Sequence, residues 1–181
     1  MSEEKRNLRK EIREKLLKLD PAYFVSASSV ISSNCIKDPA FTNARHIFIY
    51  LSQKNEPDTS AIIKAAFSAK KHVYVPRCHE KPYMDAVEIK DLSCLLPGPY
   101  GIPEPPASFP SASPSLIDTA IVPCVAATID GVRLGHGCAY YDHFLRGREI
   151  NKIALCFGEL LFPSLPHDDL DVIMDKVLTE L

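Results

Sequence analysis

Ten consecutive residues hold the densest chemistry in the chain: Arg133-Leu134-Gly135-His136-Gly137-Cys138-Ala139-Tyr140-Tyr141-Asp142. Gly135 and Gly137 stand one residue apart. Before them an apolar run, Ile121-Val122-Pro123, reads as a strand, and after them Ala139 to Leu145 reads as the opening of a helix. Glycine reaches φ > 0 at little cost, and unpaired N–H groups at a helix start point at bound charge. The loop therefore suits a backbone that wraps around an anion. Arg133 ahead of it supplies a phosphate-binding cation, and Asp142 behind it a candidate Mg²⁺ ligand. A lone Gly-x-Gly is more often an ordinary turn with a surface ion pair. The arginine, the two adjacent tyrosines and the aspartate make the anion site the more specific alternative.

The elements that must position this loop amount to one domain, since 181 residues suffice for a sizeable core. Hydrophobic and charged shares of 46% and 24% match a soluble α/β protein. A formal net charge of −2 gives no general pull toward nucleic acid or anionic membrane, so an anion site has to be built locally. The N-terminus is charged rather than signal-like and no apolar run is long enough to cross a bilayer, which makes the cytosol the expected compartment. The six cysteines (35, 78, 94, 124, 138 and 156) contain no Cys-x-x-Cys pair, so reduced thiols are expected rather than a zinc site or a disulfide framework.

Along the chain, Leu8, Ile12, Leu16 and Leu19 recur at helical spacing and predict one buried stripe. Lys5 and Arg9, four apart, share a face. A solvated basic face is the common meaning of such a pair, and two cations leaning over a polyphosphate is the functional one. Asp20-Pro21 opens a second helix running through Val25, Val30 and Ile31 toward Cys35. His46 to Leu51 reads as the first strand, and Ser52 to Thr59 as a polar turn in which Asp58 or Thr59 caps the helix carrying Ile62, Ile63, Ala66 and Phe67. With His72 to Pro76 as the next strand this is a βαβ unit, which predicts a mainly parallel sheet with ligands at the carboxyl ends of its strands. Glu56 sits at such an end. Met84 to Ile89 reads as an edge strand, and seven prolines between Leu96 and Pro114 predict an ordered excursion or flexible loop rather than a domain linker. Ile117 to Val122 and Ile153 to Phe157 are further strands. Asp168, Asp169, Asp171 and Asp175 form an acidic tail that is either a solvated turn or the source of a second Mg²⁺ ligand.

In this order, the motifs resemble those of the 5-formyltetrahydrofolate cyclo-ligases, also called methenyltetrahydrofolate synthetases. The glycine loop through Tyr140-Tyr141-Asp142 carries most of the resemblance. Lys5-x-x-Leu8-Arg9, Tyr50-Leu51-Ser52 through Glu56, Val75-Pro76-Arg77, Gly101-Ile102-Pro103-Glu104-Pro105 and Pro166…Asp171…Thr179-Glu180 extend it over nearly the whole chain. The resemblance implies a single α/β domain with a mainly parallel sheet flanked by helices, of the ribose-phosphate isomerase and CoA-transferase type. It also implies ATP and Mg²⁺ as cofactors, a small-molecule folate substrate and a monomer or weak homo-oligomer. In that chemistry the formyl oxygen is phosphorylated and the folate N10 closes the ring with loss of phosphate, which demands positioning more than a protein nucleophile. Carried over by position, Lys5, Arg9 and Arg133 would hold the triphosphate together with Leu134, Gly135, His136, Gly137, Cys138, Ala139, Tyr140 and Tyr141. Asp142 and Asp171 would serve Mg²⁺, Ser52, Glu56 and Tyr140 the folate, and Arg133, Tyr141 and Asp142 catalysis.

The chain departs from the resemblance at several places. Cys138 and Ala139 stand where many members have Gly or Lys and then Gly, and an alanine forced to φ > 0 would be strained by about 1 kcal/mol or more. Cys124, Ala127 and Thr128 replace a segment with an aromatic and an acid, and Leu160 replaces a glutamine. These changes are expected on the ligand side. They keep open an enzyme of the same fold with another formyl or pterin substrate, and a non-catalytic nucleotide- or folate-binding protein.

Overall fold

The computed structural model describes residues 2–181, with Tyr100 described in its backbone alone. Helices α1 (Glu3–Leu16), α2 (Pro21–Lys37) and α3 (Pro39–Thr42) precede strand β1 (His46–Ile49), and α4 (Ser60–Ser68) crosses to β2 (His72–Cys78). Next come β3 (Met84–Ile89), the two-residue strands β4 (Leu96–Pro97), β5 (Pro103–Glu104) and β6 (Ser111–Ala112), and β7 (Thr119–Pro123). A hairpin of β8 (Ala126–Ala127) and β9 (Arg133–Leu134) leads to α5 (Tyr140–Leu145), β10 (Asn151–Leu155) and β11 (Lys176–Leu178).

The main sheet has the order β11-β10-β7-β1-β2-β3-β6, with β11 to β2 parallel and β3 and β6 antiparallel. β1 lies in its middle with Phe48 opposite Tyr74 on one side and Ala120 on the other. Ile47, Phe48 and Ile49 are all buried, as befits a central parallel strand covered on both faces. The α/β architecture and the βαβ unit therefore stand as expected.

Several local expectations change. α1 ends at Leu16, so Leu19 drops out of its stripe and Ile12 becomes the one fully buried apolar residue of the helix. Lys5, assigned to a face that is ordinarily solvated, is buried. In α2 the exposed residues include Val25 and Val30, while Ala27, Ser28, Ile31, Ser32 and Cys35 face inward. Small side chains there let the helix approach the chain leading into α4: Ser28 Oγ accepts from Asp58 N at 3.1 Å and Ser32 Oγ donates to Asp58 O at 2.9 Å. Asp58 also closes the turn into α4, its Oδ1 accepting from Ser60 N, the first helical residue, while the N-cap Thr59 makes no side-chain cap bond.

The proline-rich stretch is an ordered excursion. β4 pairs with β5, and β6 adds to β3, so β3 is not the edge strand. At the other edge β11 is an additional parallel strand too short to have announced itself in the sequence. The strand ending at Pro123 does not open directly into the glycine loop, because the β8–β9 hairpin intervenes and β9 delivers the loop. All six cysteines are free thiols, and among the described residues no helix is long and apolar enough to cross a membrane.

Candidate active site

The sheet order reverses between β1 and β7: β2 lies on one side of β1, and β7, β10 and β11 on the other. Such a switch point leaves a crevice beyond the carboxyl ends of the strands. A cavity of about 710 Å³ occupies it, lined by Tyr50 and Leu51 after β1, Pro76 and Cys78 of β2, Pro123 ending β7, and the loop after β9.

One wall is charged. Lys5 Nζ donates to Asp168 Oδ2 at 2.8 Å and also pairs with Asp171 Oδ2, while Arg9 Nε donates to Gly135 O at 2.7 Å. Burial alone would pull the Lys5 ammonium down, but its hydrogen bonds to Asp168 and Asp171 and their charge prevail, holding it above the usual lysine range. The hydrogen bond from Lys5 in turn holds the Asp168 carboxyl below its usual range. Burial lowers Arg9, with the charge of Asp171 acting in the opposite sense. Asp171 Oδ2 also accepts from Asp168 N at 2.8 Å, so its bonds fall on one oxygen.

Arg133 and Asp142 form the floor of this wall. Arg133 Nη2 donates to Asp142 Oδ1 at 2.9 Å and Nη1 to Pro123 O at 3.1 Å. The Arg133 side chain is 3% exposed, its guanidinium lies 5.8 Å from the Tyr141 ring centre, and its Nε is buried without a hydrogen-bond partner. Val172 N donates to the same Asp142 oxygen, which leaves Oδ2 as the oxygen available to a ligand. A Cβ at Gly135 would come within 2.9 Å of Arg133 Nη1, so glycine there lets the loop lie directly over the guanidinium. Gly137 has φ +92° and Ala139 φ +56°, the left-handed conformation in which alanine is strained. α5 has only six residues, so the loop's own backbone, more than a helix dipole, presents the N–H groups. Burial raises the Tyr141 phenol far above its usual value, so it stays neutral.

The facing wall is mostly apolar: Tyr50, Leu51, Pro76, Pro82, Met84 and Ile102 line it. Burial and the neighbouring Glu104 push the Cys78 thiol up to about 12, keeping it protonated. Two contacts join the walls. His136 Nε2 lies 2.9 Å from Glu56 Oε1, and the Tyr140 hydroxyl donates to His79 O at 3.1 Å. Glu56 is held from below by Gln53 N, which donates to Oε2 at 2.7 Å.

Lys5, Arg9, Glu56, residues 133–142 and Asp171 thus converge on one cavity. Ser52 does not line it. Its hydroxyl donates to Asp58 Oδ1 and accepts from Thr59 N, shaping the turn below. The expectation that Cys124, Ala127, Thr128 and Leu160 alter the ligand side is corrected as well. None lines the cavity, and all four are buried, Cys124 donating to Leu155 O and Thr128 Oγ1 accepting from Val132 N. Asp168, one of the four tail carboxylates considered for Mg²⁺, also lines the cavity, as do Arg146, Met84, Ile102 and Glu104, to which the sequence assigned no role. The family-like segment around Ile102 and Glu104 was the available signal for the last two.

A model of the 5-formyltetrahydrofolate cyclo-ligase family matches residues 1–180. A Mus musculus protein named 5-formyltetrahydrofolate cyclo-ligase is 29% identical, over 97% of this chain and 93% of its own. One of that name from Saccharomyces cerevisiae is 30% identical, over 96% and 94%. Among solved structures, Aquifex aeolicus 5,10-methenyltetrahydrofolate synthetase superposes with a TM-score of 0.85 at 28% identity, over 97% of this chain and 89% of that one. A Mycoplasma pneumoniae 5,10-methenyltetrahydrofolate synthetase shares the fold at a TM-score of 0.78 and 20% identity, over 98% and 99%.

Proposed function

The chain belongs to the 5-formyltetrahydrofolate cyclo-ligase family, and from that premise we propose that it converts 5-formyltetrahydrofolate to 5,10-methenyltetrahydrofolate with ATP and Mg²⁺, releasing ADP and phosphate. The observation that carries this proposal is the two-walled cavity: cations, carboxylates and a close-lying glycine loop face an apolar wall, with Glu56 where the two meet. Phosphate fits the first wall and a pterin ring the second.

The donor set suits both groups. Mg²⁺ needs one or two carboxylates beside phosphate oxygens and water, and Asp142 and Asp171 each have one oxygen outside their protein hydrogen bonds. When bound, ATP would supply the phosphoryl group that makes the formyl oxygen a leaving group, and Mg²⁺ would neutralise charge on the phosphates. Lys5 and Arg9 bring positive charge to the phosphates, and the 135–139 backbone cradles them. Arg133, too buried to reach far into the cavity, orients Asp142 and supports the loop. Glu56 accepts a hydrogen bond from the folate in place of the one from His136, and Tyr140 lines the junction. A neutral Tyr141 keeps the floor dry. Lodged in the core, the substituted residues 124, 127, 128 and 160 give no reason to reassign the substrate.

The test is to follow the near-ultraviolet absorbance of the methenyl product at mildly acidic pH, with 5-formyltetrahydrofolate and each component omitted in turn. Product that requires both ATP and Mg²⁺ is expected. No product from folded protein that binds ATP would overturn the substrate assignment.

A further inference from the structure

Outside the charged wall, a dense set of directed side-chain hydrogen bonds centres on Arg77. It projects from the end of β2, and its side chain is 14% exposed. Nη1 donates to Pro106 O at 3.1 Å, Phe109 O at 2.9 Å and, at the limit of a hydrogen bond, Ala107 O at 3.5 Å. Nη2 donates to Ser111 Oγ at 2.9 Å and Asp85 Oδ2 at 3.3 Å. One guanidinium thus gathers the returning limb of the proline-rich excursion, residues 106–111, onto the β2–β3 pair. Prolines 103, 105, 106 and 110 have no N–H, so local backbone donors are few in this segment; Phe109 N does donate to Pro106 O at 3.0 Å, and Arg77 adds a second donor there and reaches the Phe109 carbonyl.

Asp85 completes the clamp from β3. Its Oδ2 accepts from Arg77, from Ser111 Oγ at 2.5 Å and from His79 Nε2 at 2.8 Å. His79 in turn offers its backbone carbonyl to the Tyr140 hydroxyl of the glycine-loop segment. The outgoing limb of the same excursion carries Pro99, Ile102 and Glu104 into the cavity wall, and Glu104 Oε1 accepts from Cys78 N at 2.9 Å, one residue beyond Arg77. Two limbs are therefore pinned side by side on β2, one by Arg77 and the other by the backbone of its neighbour.

Building on the proposed function, we infer that the Arg77–Asp85 clamp is the positioning element that holds Ile102 and Glu104 against the folate side of the cavity and sets affinity for the pterin-bearing substrate. Arg77 touches neither substrate; it acts through the excursion. Lysine would keep the charge but not the fork that reaches three carbonyls, a hydroxyl and a carboxylate together. The charged wall that serves phosphate shares no residue with the clamp, so the two affinities separate on mutation.

Arg77→Lys and the milder Ser111→Ala are to be compared with the wild-type protein in steady-state kinetics and by hydrogen exchange followed by mass spectrometry. For Arg77→Lys, the KM for 5-formyltetrahydrofolate should rise about tenfold, the scale of a lost charge-assisted hydrogen bond. The KM for ATP and kcat should stay within about twofold, and exchange should accelerate over residues 98–111 while α1 and the 133–142 loop keep theirs. Ser111→Ala should shift the same quantities in the same direction by less. Equal losses in both KM values, or a folate KM unchanged in both variants, would overturn the inference. If the wild-type protein fails to turn over 5-formyltetrahydrofolate, the functional proposal falls, and exchange at 98–111 still decides whether Arg77 pins the excursion.

Discussion

Replacing Asp142 by asparagine removes a charge while keeping the shape, and the structure fixes what that must do to the fold. The carboxylate is paired at 2.9 Å with a guanidinium whose side chain is 3% exposed, and the same oxygen accepts from Val172 N at 3.1 Å. Asparagine can present its carbonyl oxygen to both donors, so the geometry survives and the charge is lost. A hydrogen bond to a charged partner is worth about 1.5–3 kcal/mol and a neutral one about 0.5–1.5, a difference of about 1–1.5 kcal/mol. Arg133 is then left with neutral acceptors alone, and its Nε has none. That raises the expected loss to about 2 kcal/mol, below the ~3–5 kcal/mol for removing a buried partner outright. At about 2–4 °C per kcal/mol for a chain of this size, the melting temperature should fall by about 4–8 °C. Turnover should fall by about 100-fold or more, with a weakened Mg²⁺ dependence, if Asp142 serves the ion as proposed. Thermal unfolding by circular dichroism and a Mg²⁺ titration of methenyl formation read the two effects separately. An unchanged melting temperature would show that the ion pair is not buried as described. A lowered melting temperature with wild-type turnover and Mg²⁺ half-saturation would leave Asp142 a scaffold role and remove it from the metal site.

The remaining predictions concern strain, the β1 turn and the Lys5 cluster. Ala139→Gly should stabilise the protein by about 0.5–1 kcal/mol, since relief of ~1–2 kcal/mol of left-handed strain exceeds the ~0.4–1 kcal/mol of added unfolded-state freedom. A lowered denaturation midpoint would refute that balance. Ser52→Ala should cost about 1 kcal/mol through its bonds to Asp58 and Thr59 while leaving both KM values unchanged; a weakened folate KM would return Ser52 to the site. Lys5 is raised in the folded state, so its contribution is full below about pH 10 and fades as pH climbs through the folded-state value. Asp168 is lowered, so its contribution is full above about pH 4 and fades as pH falls through its folded-state value. Thermal midpoints measured against pH should therefore be flatter at both extremes in Lys5→Met than in the wild-type protein, and identical profiles would show that the cluster carries no linkage.

Periodicity and turn chemistry made the central architecture legible. Runs such as His46–Ile49 and Thr119–Pro123 are apolar on both faces because parallel strands at the middle of a sheet are covered twice. Elements that owe their existence to a neighbour were not legible. β6, β8, β9 and β11 have two or three residues each and form only because a longer strand or partner hairpin supplies their hydrogen bonds. The glycine loop could be located because its residue types are unusual at that spacing. Its true support, a two-residue strand and a nearly buried arginine, depends on pairings across six to ten positions that no helix or strand periodicity contains. Lys5 shows the same limit: spacing placed it beside Arg9, but its carboxylate partners lie more than 160 residues away.

The substituted positions show why a departure from a family pattern has to be located before it is interpreted. Cys124 follows β7, Ala127 sits in β8 opposite Arg133, Thr128 holds the β8–β9 turn, and the Ala127 carbonyl accepts from Phe162 N, two residues past Leu160. Read one at a time, each looks like a lost ligand contact. In space they belong to one buried patch behind the glycine loop, where the Cys156 thiol contacts the Leu160 carbonyl and the Cys124 thiol the Leu155 carbonyl. A buried polar group in such a patch needs a partner of its own, and Thr128 has one in Val132 N. Cys138 and Ala139 are different. They lie on the loop itself and line the cavity, and Ala139 keeps the left-handed conformation despite its cost. The loop therefore retains its shape with a residue that disfavours it, and the packing of Arg133 beneath Gly135, together with Arg9 on the Gly135 carbonyl, is what can impose that shape.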